Sequence, residues 1–268
     1  KPFLIALTSH TIFYIMTSKI LMKELEMKKS LDAFHLKLIA IAAMLINHLG
    51  HTLELENQNI YLYFLTETIG RLTFPIMAYL LVEGFQYTRS RGKYALRLTL
   101  FWLLSILPFY YLFESHKPLT VNNNILYTLL LGLLLLVFLE KVQHSFLRLL
   151  LILTFSFLTW QSDWGFLGIL TIVGFYEKRE ESDGFVTPIL TLMVVSILIN
   201  LWAFYTVPNP VLLCDAAAML GLLLTLPLLK AYNGQRGYSP VWVKWGFYAF
   251  YPLHLCLLLL FRIFFLKS

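Results

Sequence analysis

The sequence predicts an all-α fold: a polytopic membrane helix bundle of nine or ten transmembrane helices. Three observations carry that prediction. Of 268 residues, 59% are hydrophobic and only 13% charged, with a mean hydropathy of +0.71, which is too apolar for a water-soluble domain of this size. The apolar residues fall in runs of span length separated by short polar stretches. The basic residues collect in alternate connections, so the net charge of +6 sets topology and does not mark a nucleic-acid surface. Cys214 and Cys256 lie within apolar segments, where they read as small apolar side chains.

Residues 1–30 form an N-terminal hydrophobic segment and basic linker, and 31–268 form one transmembrane domain. Pro2 to Met22 is interrupted by Thr8, Ser9, His10, Ser18 and Lys19, so it is either a first span or a helix lying in the interface. Phe34 to Leu53 follows, about 30 Å long as a helix, with Lys37 near one end and His48 about two thirds of the way across. The next run, Ile60 to Tyr87, is long for one span, and its Gly70, Pro75 and Gly84 should loosen or kink it. Spans are then expected over Tyr94 to Phe113, bent at Pro108, over Ile125 to Glu140, and over Phe146 to Trp160. A short return over Phe166 to Tyr176 comes next, then Phe185 to Tyr205, Val211 to Leu229, and Trp242 to about Phe261. Lys28/Lys29, Arg89/Arg91/Lys93, Lys141/Arg148, Lys178/Arg179 and Lys230/Arg236 mark the cytoplasmic side. The connections LELENQN, ESHKP, QSDWG and TVPNP hold only Lys117 and lie outside, which puts His48 towards the outer face.

An ionisable group at that depth is costly on a lipid face, so His48 should point into the protein or a wet cavity. A neutral imidazole titrates near neutrality and suits a general base; the alternative is an interhelical hydrogen bond with no chemistry. Asn47 precedes it but diverges by about 100° around the helix. His48, His51 and Glu54 share spacing that could hold a metal, yet no further ligands are evident and no metal is predicted. Arg71 lies four residues from Glu67, at ion-pair spacing, or else orients His48 or an anionic group. Glu83 is a structural partner for Arg97 or Arg89. Arg89, Arg91, Lys93 and Arg97 form a basic cytoplasmic mouth that sets topology or holds a phosphate-rich cofactor. Asp163 caps the short helix after it or lines the site, Asp215 starts a helix, and His254 either packs or lines the same cavity as His48.

The stretches LKLIAIAAMLINHLG, IGRLTFPIMAYLLVEGFQYT, NILYTLLLGLL, SDWGFLGIL and FYPLHL, in this order between Leu36 and Leu255, together resemble the TraX family. The resemblance implies an integral-membrane acetyltransferase; the family's namesake is associated with acetylation of a pilin N terminus. The chain is also distantly similar to membrane acyltransferases of surface glycans, in which a basic residue precedes a histidine by eleven positions, as Lys37 precedes His48. By motif position the resemblance makes His48 the catalytic histidine and Arg71 the arginine of the Gly-Arg pair. The family has Asp-His where this chain has Asn47-His48, so the carboxylate of such a dyad is missing at position 47.

The expected function is transfer of an acetyl group from cytoplasmic acetyl-CoA to an amine or hydroxyl of a peptide, glycan or lipid-linked acceptor outside the cell membrane. His48, Arg71 and His254 are the catalytic candidates, Arg89, Arg91, Lys93 and Arg97 the acetyl-CoA candidates, and Asn47, Asn124 and Asp163 the acceptor-binding candidates. A transporter or flippase using the same buried polar groups, and an assembly factor holding a partner in the bilayer, are the alternatives.

Overall fold

The structure, a computed structural model, describes residues 29–266; the N-terminal run with its possible extra span lies outside the described residues. The described chain is built of helices: α1 (Ala33–Thr52), α2 (Ile60–Gly70), α3 (Thr73–Tyr87), α4 (Arg91–Phe109), α5 (Ile125–Lys141), α6 (Ser145–Leu158), α7 (Gly165–Glu177), α8 (Val186–Thr206), α9 (Pro210–Ala218), α10 (Thr225–Lys230) and α11 (Val241–Phe261). Among the described residues there is no strand, only one isolated bridge between Leu31 and Tyr232.

Among the described residues five helical stretches are long and apolar enough to cross a bilayer: Ala33–Thr52, Arg91–Glu114, Val186–Thr206, Pro210–Lys230 and Val241–Leu266. The remaining predicted stretches are helical but differ from simple spans. Eleven of the 17 residues of α5 are buried, so it runs through the middle of the bundle, apolar on every side. The α6 and α7 helices are short and apolar.

The expected loosening of Ile60 to Tyr87 is a two-residue interruption at Arg71-Leu72, where regular α-helical bonding lapses while both residues keep right-handed helical backbone. Pro75, in the first turn of α3, has no N–H for the Arg71 carbonyl four residues before it, so the helical bonding lapses where the sequence expects the run to loosen. Pro108, one residue before the end of α4, is followed by a wider π turn over Tyr110–Glu114. Glycines decide how closely α1 and α2 approach. A Cβ on Gly70 would stand 2.6 Å from that of Asn47, and one on Gly50 would stand 2.5 Å from the Thr66 hydroxyl.

Polar contacts join helix ends that the charge pattern assigns to one side. Arg91 is paired with Glu140 and Arg148 with Glu177, all at ends expected inside. Arg262 donates to Glu54 at 2.8 Å and to the Leu112 carbonyl at 2.7 Å, all at ends expected outside. The connection after α10 is held to the start of α1 by main-chain bonds: Leu31 N–H to the Ala231 carbonyl, Asn233 N–H to Leu31, and Ala33 N–H to Gln235. Glu83 accepts from the Tyr232 hydroxyl at 3.4 Å, not from Arg97 or Arg89, because α3 turns that carboxylate towards this connection.

The closeness of α1 and α2 gives a direct test. Gly70→Val should wedge them apart and cost about 1 to 3 kcal/mol, read as a lower melting temperature of the detergent-solubilised protein. Gly92→Val, at a position where a Cβ meets nothing within 4 Å, is the matched control.

Candidate active site

The α1 helix presents two polar faces. Asn47 and His51, four residues apart, point to α2, and His48, about 100° around, points to α11.

On the first face a single buried carboxylate gathers three donors. Glu67, 3% exposed, accepts from Asn47 Nδ2 at 2.5 Å and Arg71 Nη2 at 2.5 Å, and its Oε1 lies 2.8 Å from His51 Nε2. Arg71 Nη2 is also 3.9 Å from Asp215 Oδ1, and that oxygen accepts from the Tyr63 hydroxyl at 2.9 Å. The Arg71 guanidinium lies 5.8 Å from the Trp164 ring, which stacks on Phe74. Trp164 has φ of +65°, a left-handed backbone that a bulky side chain rarely adopts.

On the second face His48 Nδ1 and His254 Nε2 are 2.8 Å apart, with the rings nearly parallel. The other nitrogen of His254, Nδ1, is 2.8 Å from the Phe250 carbonyl. A carbonyl only accepts, so His254 Nδ1 carries a proton. In the neutral ring its Nε2 is then the acceptor, so His48 donates from Nδ1 and its own Nε2 holds a lone pair. The proton order Phe250 carbonyl, His254, His48 thus orients the imidazole and leaves its Nε2 without a protein partner.

Both faces meet in a cavity of about 130 Å³ lined by Asn47, His48, His51, Glu67, Arg71, Asp163, Trp164, Ile125 and Tyr251, among others. Two polar atoms of its lining residues are buried with no protein partner, Arg71 Nε and the Tyr251 hydroxyl. Lone buried donors of this kind mark where a ligand atom or water would bond. Among the described residues no cluster of His, Cys, Asp and Glu is placed to hold a metal ion.

A family model described as "TraX protein" matches residues 32–262. The chain belongs to the TraX family. A curated relative, "Probable fimbrial assembly protein FimC, serogroup H1" of Dichelobacter nodosus, is 31% identical over 245 residues, covering 87% of this chain and 97% of the relative. No solved structure matches.

In this TraX family member the structure brings His48, Arg71, His254, Asn47 and Asp163 to one place and leaves other predicted residues elsewhere. Asn124 is buried as the cap of α5, its Oδ1 accepting from Leu126 N–H and its amide donating to Asn123, so it is spent on structure and does not line the cavity. The basic mouth is divided: Arg91 is bound to Glu140 and lies over Phe85, Arg89 and Lys93 are exposed, and Arg97 faces α11 between Tyr94 and Tyr248. His48, His51 and Glu54 do not converge as a metal set, since they bond to His254, Glu67 and Arg262 respectively. Asp163 does not cap α7 with its side chain; the residue at that cap is Trp164, and the Asp163 carbonyl accepts from Thr128. Asp215, expected only to start a helix, joins the Arg71 network through Tyr63. Glu67 as hub and Tyr251 as free hydroxyl were missed. The signal for Tyr251 was its place one turn before His254 in FYPLHL.

Two outcomes are expected. Glu67→Gln removes the carboxylate shared by Asn47, His51 and Arg71 and should cost about 1 to 3 kcal/mol of stability, because the partly buried guanidinium keeps only the more distant Asp215, at 3.9 Å. Thermal unfolding in detergent reads it. Burial raises the Asp163 carboxyl, in the turn before α7, to about 6. An acid that holds its proton more tightly when folded loses stability as pH rises from its unfolded value to its folded one. Asp163→Asn should therefore flatten the fall in melting temperature between about pH 4 and 6.

Proposed function

We propose that this chain is a multi-pass cell-membrane acetyltransferase that moves an acetyl group from cytoplasmic acetyl-CoA to an amine or hydroxyl of an acceptor on the outer side. In this reading the nine helical segments from α1 to α11, counting α2 with α3 and α9 with α10 as single broken crossings, each cross the bilayer.

The observation that carries the reading is the free Nε2 lone pair of His48, aimed by a two-histidine chain and placed on the wall of a cavity that holds two unpartnered donors. A packing histidine has no need of such a wall. His48 Nε2 takes the proton of the acceptor N–H or O–H as that atom forms its bond to the acetyl carbonyl carbon. The carbon–sulfur bond of the thioester breaks, and the thiolate leaves with the proton that the imidazolium returns. Charge gathers on the carbonyl oxygen in between, and Arg71 and the Tyr251 hydroxyl are the donors available to meet it. His254 and Asn124 are not, since their hydrogen-bonding groups are already engaged. His254 acts through His48 as a positioning residue.

A second reading has one specific observation behind it, the relative named as a probable fimbrial assembly protein. There the chain would hold a partner in the bilayer, and the cavity would be incidental. The two separate cleanly. Purified protein in nanodiscs, given acetyl-CoA labelled in its acetyl group and cell-envelope material, should transfer label. His48→Ala should lower the rate by about 10² to 10⁴, the usual contribution of a general base. Tyr251→Phe should lower it by about 10² to 10³ with little change in KM for the donor, as loss of an oxyanion donor does. Undiminished transfer by a folded His48→Ala protein overturns the enzyme reading.

A further inference from the structure

On the inner side of the bundle, away from the divided mouth, four cations from four parts of the chain come together. Lys37 lies one turn into α1, Arg97 in the second turn of α4, Lys244 in the first turn of α11, and Arg236 in the connection before it. Lys37 Nζ is 5.4 Å from the ring of Phe247, and the Arg97 guanidinium is 5.5 Å from the ring of Tyr248; these aromatic residues are consecutive and one turn beyond Lys244. Lys37 lies in the field of Arg236 and Lys244, and Lys244 in the field of Arg97 and Arg236.

Holding four like charges together has to be offset by something. Among the described residues none of the four forms an ion pair, whereas Arg71, Arg91, Arg148, Arg179 and Arg262 each do. The nearby carboxylate, Asp32, is already engaged by the backbone and ring of His35. Arg97 Nε is buried and has no partner. Nor is the cluster an accident of a loose loop. The Arg236 connection is fastened to α1 by Gln235, whose carbonyl accepts from Ala33 N–H at 2.8 Å. Gly237, at φ of +67°, turns the chain tightly against the Asp32 carboxyl, where a Cβ has no room. Three helix starts add the positive ends of their dipoles to the same field.

We infer that Lys37, Arg97, Arg236 and Lys244 form a binding site for a phosphate-bearing polyanion at the inner end of the α1–α4–α11 seam. Guanidinium and ammonium groups fixed in this way suit several phosphate oxygens at once, and a single carboxylate would leave most of the charge unmet. Position favours a ligand that also reaches the cavity. Lys37 and His48 are eleven residues apart, just over three turns, so they lie on one stripe of α1 about 16 Å apart, with Met44 between them. Along α11 the matching stripe runs Lys244, Tyr248, Tyr251, with His254 one turn on. A phosphate-anchored thioester arm laid along this seam would bring its carbonyl towards Tyr251 and His48. That identity of the ligand rests on the acetyltransferase reading; the site does not. An anionic lipid headgroup has the same phosphate chemistry.

Titration of the full-length protein with coenzyme A, in nanodiscs of purely zwitterionic lipid, tests the donor. The Arg97→Gln/Lys244→Gln pair should weaken binding at least about tenfold, the loss expected from removing charge-assisted bonds, and binding should weaken with salt. Arg89→Gln, at an exposed position outside the cluster, should leave it unchanged. Phosphorus analysis of lipid retained after purification from membranes containing phosphatidylglycerol tests the other source. Loss of retained lipid in the paired variant with no coenzyme A binding by either protein assigns the site to a headgroup. If the paired variant keeps both coenzyme A affinity and retained lipid at wild-type levels, the site does not exist as proposed. Wild-type protein that binds coenzyme A through the cluster yet transfers no acetyl group counts against the acetyltransferase reading alone.

Discussion

Glu67 is the interaction on which the rest of the structure hangs. A carboxylate 3% exposed in an apolar bundle is sustainable only if its charge is met by protein groups, and three of them meet it: the Asn47 amide, the His51 ring and the Arg71 guanidinium. Each requirement reaches back to the sequence. Asn47 and His51 need spacing of one helical turn on α1, and Arg71 needs the same spacing from Glu67 on α2. The two helices need glycine at positions 50 and 70 to come close enough. The interruption at Arg71-Leu72 then ends α2 one turn beyond Glu67, and Pro75, with no N–H for the Arg71 carbonyl, marks where the chain resumes as α3.

The consequence for the site is a separation of duties. His51 belongs to a charged network and is bonded to a carboxylate; His48, three residues on the other side of the same turn, belongs to an uncharged one. Its partner His254 is held in one tautomer by a main-chain carbonyl that cannot change its role. So the absence of aspartate at position 47 does not leave His48 unoriented. Orientation comes from α11, and the side chain at 47 is used to bind Glu67 instead.

Much of the fold was legible because hydropathy and charge act at the scale of whole segments. The nine apolar stretches from Phe34 onward are all helical, and the contacts at their ends join residues that the Lys and Arg pattern had put on the same side. What composition could not tell is which stretches stand in lipid and which inside protein. The α5 helix reads like any other apolar run, yet most of it is buried. The site was legible in part for the same reason. An ionisable residue within an apolar run is visible from sequence, and His48, Arg71 and His254 were found that way. Partner choice was not visible, because it depends on helix rotation and on contacts across the chain. Asn124 looked like a site residue and is a helix cap; Asp215 looked like a helix start and reaches the Arg71 network. Tyr251 gave little signal, since tyrosine is common in membrane helices and only the lack of a partner for its hydroxyl sets it apart.

The same reasoning explains why the basic residues divide into two kinds. Arg91, beside Glu140, and Arg148, beside Glu177, have their charges met within the protein, so they fasten helix ends and offer little to a ligand. Lys37 and Arg97 have aromatic faces for neighbours, and among the described residues none of Lys37, Arg97, Arg236 and Lys244 forms an ion pair, which leaves their field directed outward from the seam. A sequence window sees only that Arg89 to Arg97 are close in the chain. The fold separates Arg97 from the others by turning it to the α11 side of α4, and joins it to residues 60 positions before and about 140 after. Proximity in the chain made the first cluster conspicuous; unmet charge in space makes the second one the better anchor for an anion, and it lies on the helix stripe that leads to His48.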